Sequence, residues 1–338
     1  MISTTSWTNQ REGDFFLTNF RFLNGDSLAE LRLHYTTLGV PKRDGAGEIV
    51  NGVLLLHAML GEGKNWLIPS LANELFDEGQ PLDANRYFIV LPDAIGHGNS
   101  SKPSDGLRAH FPAYRYRDIV DSQYRLVTEG LRVKRLRLVL GSSMGAMCTW
   151  MWGEIYPDLM DGLVPIGSQP VPLGGHNWIM RRFVIDAIRN DPDWNGGNYD
   201  KTPRQHAYAS ALFLLMANSF VQLQNLAPTQ ELGDALCRQL IEQAGRRDAN
   251  DQLYAFESVV GYDPLNDLEK IKARLLAINF ADDEIFSSDL GLTPQVINRV
   301  PNGEFVLVPS SRYTNGHRTH LQAAVWGPLL AKFMTTIQ

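Results

Sequence analysis

Residues 136–157, LRLVLGSSMGAMCTWMWGEIYP, constrain this chain more than any other stretch. An apolar run leads straight into Gly141-Ser142-Ser143-Met144-Gly145, and an amphipathic, helix-compatible segment follows at once. A strand must therefore turn into a helix with no linker between them. Small residues at 141 and 145 let strand and helix approach closely, and Ser143 sits at the centre of a sharp, strained turn. Such a turn presents a hydroxyl at the C-terminal edge of a sheet. The helix N-terminus behind it adds partial positive charge where an oxyanion develops. G-x-S-x-G is common by chance, and the strand before it and the helix after it are the context a nucleophile elbow requires. Ser142 lacks the central place in the motif. The Met144 amide is the expected first oxyanion donor.

The rest of the chain extends the same alternation. Short apolar runs at 52–58, 86–94, 136–142, 161–168, 274–283 and 303–310 are bounded by Gly, Asp or Pro. Runs of this kind suit strands buried on both faces of a mainly parallel sheet. IPSLANELFDEG, YRDIVDSQYRLVTEGL and MGAMCTWMWGEIYP read as helices between them. Upstream, DFFLTNFRF and LAELRLHYTTLG form a candidate antiparallel pair turning at Gly25-Asp26. These features predict an α/β fold, with a mostly parallel central sheet flanked by helices and right-handed crossovers. Residues 171–265 differ, because MRRFVIDAIRNDP, ASALFLLMANSFVQLQNL and ELGDALCRQLIEQAGRR repeat with helical period. The expected organisation is a core part at 1–170, a helical lid insertion at 171–265, and the second core part at 266–338.

Composition narrows the partners. A chain of 338 residues that is 44% hydrophobic can bury a large core. Its 31 basic and 37 acidic residues give a formal charge of −6, which offers nothing to a phosphate backbone, so nucleic acid is not an expected partner. Cys148 and Cys237 are too few for a disulfide framework or a Cys-rich metal site. No HExxH and no G-x-G-x-x-G opening a βαβ unit occurs, so neither a metal nor a dinucleotide cofactor is indicated. MISTTSWTNQREGDFF lacks a basic start followed by an apolar run, and no run reaches a membrane span. A cytoplasmic protein is expected, or a periplasmic or secreted one if a leader precedes this sequence.

A nucleophilic serine needs a histidine base and an orienting carboxylate. For a strand-turn-helix elbow the chain order is Ser, acid, His. In the last third of the chain only His317 and His320 occur; His317, in the loop TNGHRTH, is the expected base. His320, one turn onward, reads as a helix-face residue. Asp282, Asp283 and Glu284 all follow the run at 274–280, and position alone does not separate them. A second oxyanion donor is expected after the strand in LLLHAMLGEGKNW, with the Met59 amide the best placed. His57 reads as a packed residue beneath the elbow. Asp93 and His97 precede the serine, break the chain order, and read as parts of a tight turn in DAIGHGNSSKP.

HAMLG, YRYRDIVDSQYRLVTEGL, GSSMGAMCTWMW, RNDPDWNGGNY, ADDEIF and NGH together resemble the homoserine O-acetyltransferase-like branch of the α/β-hydrolase fold, over residues 14–320. The resemblance implies Ser143, Asp283 and His317 as a triad, Asp283 being three residues before Phe286, and Met59 as an oxyanion donor. Where the acyltransferases proper follow the histidine with an aspartate, this chain has Arg318. Where they carry GGSMGGMQ, it has GSSMGAMC. Those differences resemble the hydrolase-type relatives of the branch. Arg181, Arg182 and Arg318 are candidates for binding a substrate or acyl-donor carboxylate. The expected activity is serine-dependent hydrolysis of a small ester, thioester or amide through an acyl-enzyme. The alternative is O-acyl transfer from acyl-CoA to a homoserine-like acceptor. An intact Ser-Asp-His set in order argues against a non-catalytic binding protein on this fold. Apolar positions in 207–224 are expected to permit a homodimer through the lid.

Overall fold

A computed structural model describes Trp7 and residues 9–337. Residues 1–6 and Thr8 of the amino-terminal stretch read for a leader therefore lie outside the described residues. Eight strands form one sheet in the order β1-β2-β4-β3-β5-β6-β7-β8. β1 (Arg11–Arg21) and β2 (Ser27–Leu38) pair antiparallel, with Phe22 N–H donating to Asp26 O at 2.9 Å across the turn. β2 runs antiparallel to β4 (Phe88–Pro92). The remaining neighbours are parallel: β4 with β3 (Gly52–Leu56), then β5 (Leu136–Ser142), β6 (Met160–Ile166), β7 (Arg274–Phe280) and β8 (Gly303–Val308).

The apolar runs in the central strands lack polar alternation because both faces are covered. Leu54, Leu56 and Val139 pack into one core layer, with Met147 and Trp150. Val53, Leu55, Leu138 and Leu140 pack into the other, with Leu71 and Trp326. Successive side chains of a strand point to opposite faces, so each run feeds both layers. Each fully buried leucine contributes roughly 1.5–3 kcal/mol of transfer free energy. The layers are supplied by α1 (Pro69–Leu75), α2 (Tyr116–Arg125), α3 (Met144–Ile155) and a closing helix at Ala323–Met334.

Five helices lie between β6 and β7: α4 (Gly175–Arg189), α5 (Gln205–Met216), α6 (Phe220–Leu226), α7 (Gln230–Gly245) and α8 (Ala249–Glu257). The single periodic segment expected at 209–226 is divided at Ala217-Asn218-Ser219. Ser219 caps α6, its hydroxyl accepting from Gln222 N–H at 3.3 Å. The freed backbone also has distant partners. Ala217 O accepts from Arg318 N–H at 3.0 Å, and Ser219 N–H donates to Asn315 Oδ1 at 3.0 Å. The helix break thus anchors the loop that carries His317.

Candidate active site

Ser143 stands between the last residue of β5 and the first of α3, with φ 55° and ψ −114°. A positive φ on a non-glycine residue is strained and persists only where the surroundings enforce it. Two glycines make the enforcement sterically feasible. A Cβ on Gly145 would lie 2.2 Å from Leu56 O, and one on Gly141 would lie 2.1 Å from Gly145 O. Helix and sheet therefore meet backbone to backbone on either side of the serine.

His317 Nε2 lies 2.8 Å from Ser143 Oγ, and its Nδ1 lies 2.7 Å from Asp283 Oδ2. A carboxylate only accepts, so Nδ1 carries the proton and Nε2 presents its lone pair to the serine hydroxyl. Asp283 is 2% exposed. Its second oxygen, Oδ1, accepts from Ile285 N–H at 2.8 Å and Phe286 N–H at 3.0 Å. Those bonds fix the carboxylate plane toward the imidazole. Asp282 faces elsewhere: its Oδ2 accepts from Thr314 Oγ1 at 2.8 Å and Gly316 N–H at 3.1 Å, bracing the loop before His317. His320 is buried 5.2 Å from the His317 ring, and burial holds it well below the usual imidazole range.

Met59 follows β3 in a turn closed by Gly61 N–H donating to Ala58 O at 3.1 Å. Leu60 has φ +63° at the third position of that turn, as in a type II turn. Among the described residues neither the Met59 nor the Met144 amide donates to a protein acceptor. The turn is held by Asp93, whose Oδ1 accepts from Gly63 N–H at 2.7 Å and whose Oδ2 accepts from Asn99 N–H at 2.8 Å. His57 lies beneath. Its Nδ1 donates to Ala58 O at 2.8 Å and its Nε2 accepts from Ala94 N–H at 3.0 Å, so the ring is neutral. Burial pulls its pKa down to about 4. The sequence reading missed that Asp93 ties the loops at 58–63 and 93–99 together; the paired Gly-containing loops after β3 and β4 were its signal.

The three arginines separate. Arg181 is 3% exposed; its Nε donates to Asn177 Oδ1 at 3.0 Å and its Nη1 reaches Met59 Sδ at 3.4 Å. Its guanidinium lies 5.7 Å from the Phe256 ring centre and has no carboxylate partner among the described residues. Arg182, next on the helix, is partly exposed and pairs with Asp186. Arg318 has an exposed side chain beside the break between α5 and α6. Among the described residues, no group of three His, Cys, Asp or Glu side chains is placed to hold a metal ion. No helix there is long and apolar enough to cross a membrane.

The sequence profile of the alpha/beta hydrolase fold matches residues 51–287. The chain is 27% identical over 297 residues to a probable acyltransferase of Methanothermobacter thermautotrophicus, covering 88% of this chain and 90% of that protein. It is 35% identical over 195 residues to a homoserine O-acetyltransferase of Moorella thermoacetica, covering 52% and 50%. In three dimensions it superposes on the acetyl esterase MekB with a TM-score of 0.82 at 22% identity, covering 96% of this chain and 97% of that one.

Proposed function

The chain belongs to the α/β-hydrolase family, and from that premise we propose that it hydrolyses a small carboxylic ester, thioester or amide through an acyl-enzyme on Ser143. The observation that carries this reading is the hydrogen-bonded line from Asp283 through His317 to Ser143, at 2.7 and 2.8 Å. Ser143 Oγ attacks the carbonyl carbon while its proton passes to His317 Nε2. Asp283 holds the ring in the tautomer that accepts that proton and stabilises the imidazolium that results. The carbonyl oxygen, now an anion, takes hydrogen bonds from the Met59 and Met144 amides, each contributing about 3 kcal/mol. His317 returns the proton to the leaving group. Water then repeats the sequence on the acyl-enzyme, releasing the acid and restoring Ser143.

The second reading is O-acyl transfer, with an alcohol in place of water, and the names of two sequence relatives favour it. Thiol release from acetyl-CoA, with and without L-homoserine, separates the two. The expected result is no homoserine-dependent release, together with turnover of small esters that Ser143→Ala abolishes. Release that requires both homoserine and Ser143 would establish transfer instead. Failure of a fluorophosphonate to label Ser143 would overturn both.

In this reading residues 171–265 act as a lid over the elbow, with Arg181 beside the oxyanion turn binding a substrate carboxylate. The exposed apolar residues Tyr208, Leu212, Phe220 and Val221 line or flank a groove of about 630 Å³ along α5, α6 and α7, and a second copy of the chain covers it. Both cysteines are free, which suits a cytoplasmic location.

A further inference from the structure

A second cavity, of about 230 Å³, lies behind the oxyanion turn. Its walls are Leu60 and Gly61, the Gly96–Gly98 turn, and the start of α8 with the residues just before it. Four charged side chains line it, and three of them have protein partners. Lys102 pairs with Asp105 at 3.2 Å and donates to Gly98 O at 2.8 Å. Asp248 caps α8 with one oxygen, accepting from Asn250 and Asp251 N–H, and accepts from Tyr199 Oη with the other. Asp251 accepts from the amide and the hydroxyl of Ser104, one on each oxygen.

Arg247 is the exception. It has no carboxylate within ion-pair distance and no protein acceptor for its guanidinium among the described residues, and its Nη1 is enclosed without a partner. Burial unrelieved by any counter-charge lowers its pKa. A half-buried cation without a partner carries part of the desolvation cost of full burial, which a bound anion would offset. Two acceptors on the same walls are also unfilled. Gln252 is 1% exposed, its amide nitrogen donates to Ser210 Oγ at 2.6 Å, and its Oε1 has no partner. His97 is 4% exposed, its Nδ1 donates to Ile95 O at 2.9 Å, and its Nε2 is left as an unused lone pair. One unpaired cation and two unused acceptors describe a complementary ligand: an anionic group flanked by hydroxyl or N–H donors.

We infer that this cavity is a recognition subsite for an anionic group of the acyl compound processed at Ser143, a carboxylate or a phosphate distinct from the carboxylate assigned to Arg181, with Arg247 as the pairing residue and Gln252 and His97 accepting from neighbouring donors. The inference rests on the proposed activity only for its link to catalysis, since the cavity begins at Leu60, one residue beyond the Met59 amide. Binding is a separate property and is tested separately.

The experiment is calorimetric titration of the full chain, wild type, Arg247→Met and Arg247→Lys, with glutarate and with inorganic phosphate. The same anions are then added to hydrolysis of 4-nitrophenyl acetate. One anion is expected to bind the wild type at least tenfold more tightly than Arg247→Met, with Arg247→Lys between them. That anion should inhibit hydrolysis competitively, while Arg247→Met keeps acetate-ester turnover within about twofold of wild type. Glutarate as the binding anion assigns a carboxylate ligand, and phosphate assigns a phosphoryl ligand. Absence of binding by both anions, or equal binding to wild type and Arg247→Met, overturns the subsite. Binding without inhibition of an active enzyme overturns its link to the elbow. A wild type that binds the anion but turns over no ester leaves the subsite standing and refutes the proposed hydrolysis.

Discussion

Replacement of Asp283 by asparagine tests the active-site geometry most directly, because two neighbouring aspartates make opposite predictions. In Asp283→Asn the amide oxygen keeps the place of Oδ1, where Ile285 and Phe286 N–H donate at 2.8 and 3.0 Å. The amide nitrogen then occupies the place of Oδ2, 2.7 Å from His317 Nδ1. It can only donate, so Nδ1 must present its lone pair and Nε2 must carry the proton. Ser143 Oγ, 2.8 Å from Nε2, then has no base. Loss of the correct tautomer in a triad of this kind costs about 10⁴-fold in kcat, or about 5.5 kcal/mol at roughly 1.4 kcal/mol per tenfold. The buried hydrogen bonds survive in the new pattern, so the melting midpoint should move by less than about 5 °C. Asp282→Asn can still accept from Thr314 and Gly316 through its amide oxygen, and should lose no more than about tenfold. Steady-state hydrolysis of 4-nitrophenyl acetate by both variants, with circular dichroism melts alongside, decides it. An Asp283→Asn enzyme within tenfold of wild type, or an Asp282→Asn enzyme equally crippled, refutes the assignment.

Three further outcomes follow from the packing and the charges. Gly145→Ala would drive a methyl to 2.2 Å from Leu56 O, between two backbones that cannot give way; a loss of at least about 3 kcal/mol is expected in urea unfolding, and an unchanged midpoint would contradict the tight approach. His57 is held at about 4 against 6.5 unfolded, so the unfolded chain binds the extra proton between those values, and the stability due to neutral His57 is lost as pH falls from about 6.5 to 4. Glu154, raised to about 8, and Asp251, raised to about 6, act in the opposite sense, so the readout is the difference in unfolding free energy between His57→Gln and wild type, whose pH slope should be shallower in the variant. Sedimentation velocity should find a dimer that Leu212→Asp with Phe220→Asp converts to monomer; a monomeric wild type would remove the proposed lid interface.

What the sequence determined by itself is what short-range chemistry decides. An apolar run, a glycine-bounded serine and a helix-forming segment can join only as strand, tight turn and helix, because small residues are needed where two backbones touch. Apolar runs without polar alternation reveal strands covered on both faces, and the candidate base was readable because the fold places it after the last strand. Continuous periodicity concealed the break at Ala217–Ser219, since the bonds that favour it come from Asn315 and Arg318, about a hundred residues away. Only the tertiary structure divided neighbours of like chemistry. Asp282 and Asp283 leave one turn in different directions, toward Thr314 and toward His317. Arg181 and Arg182 lie about 100° apart around α4, one turned inward to Met59 and the other toward Asp186. Arg247 carries no local signal at all. Its importance lies in the absence of a counter-charge, and a missing partner is a property of the whole packed structure around a side chain, not of the residues beside it in the chain.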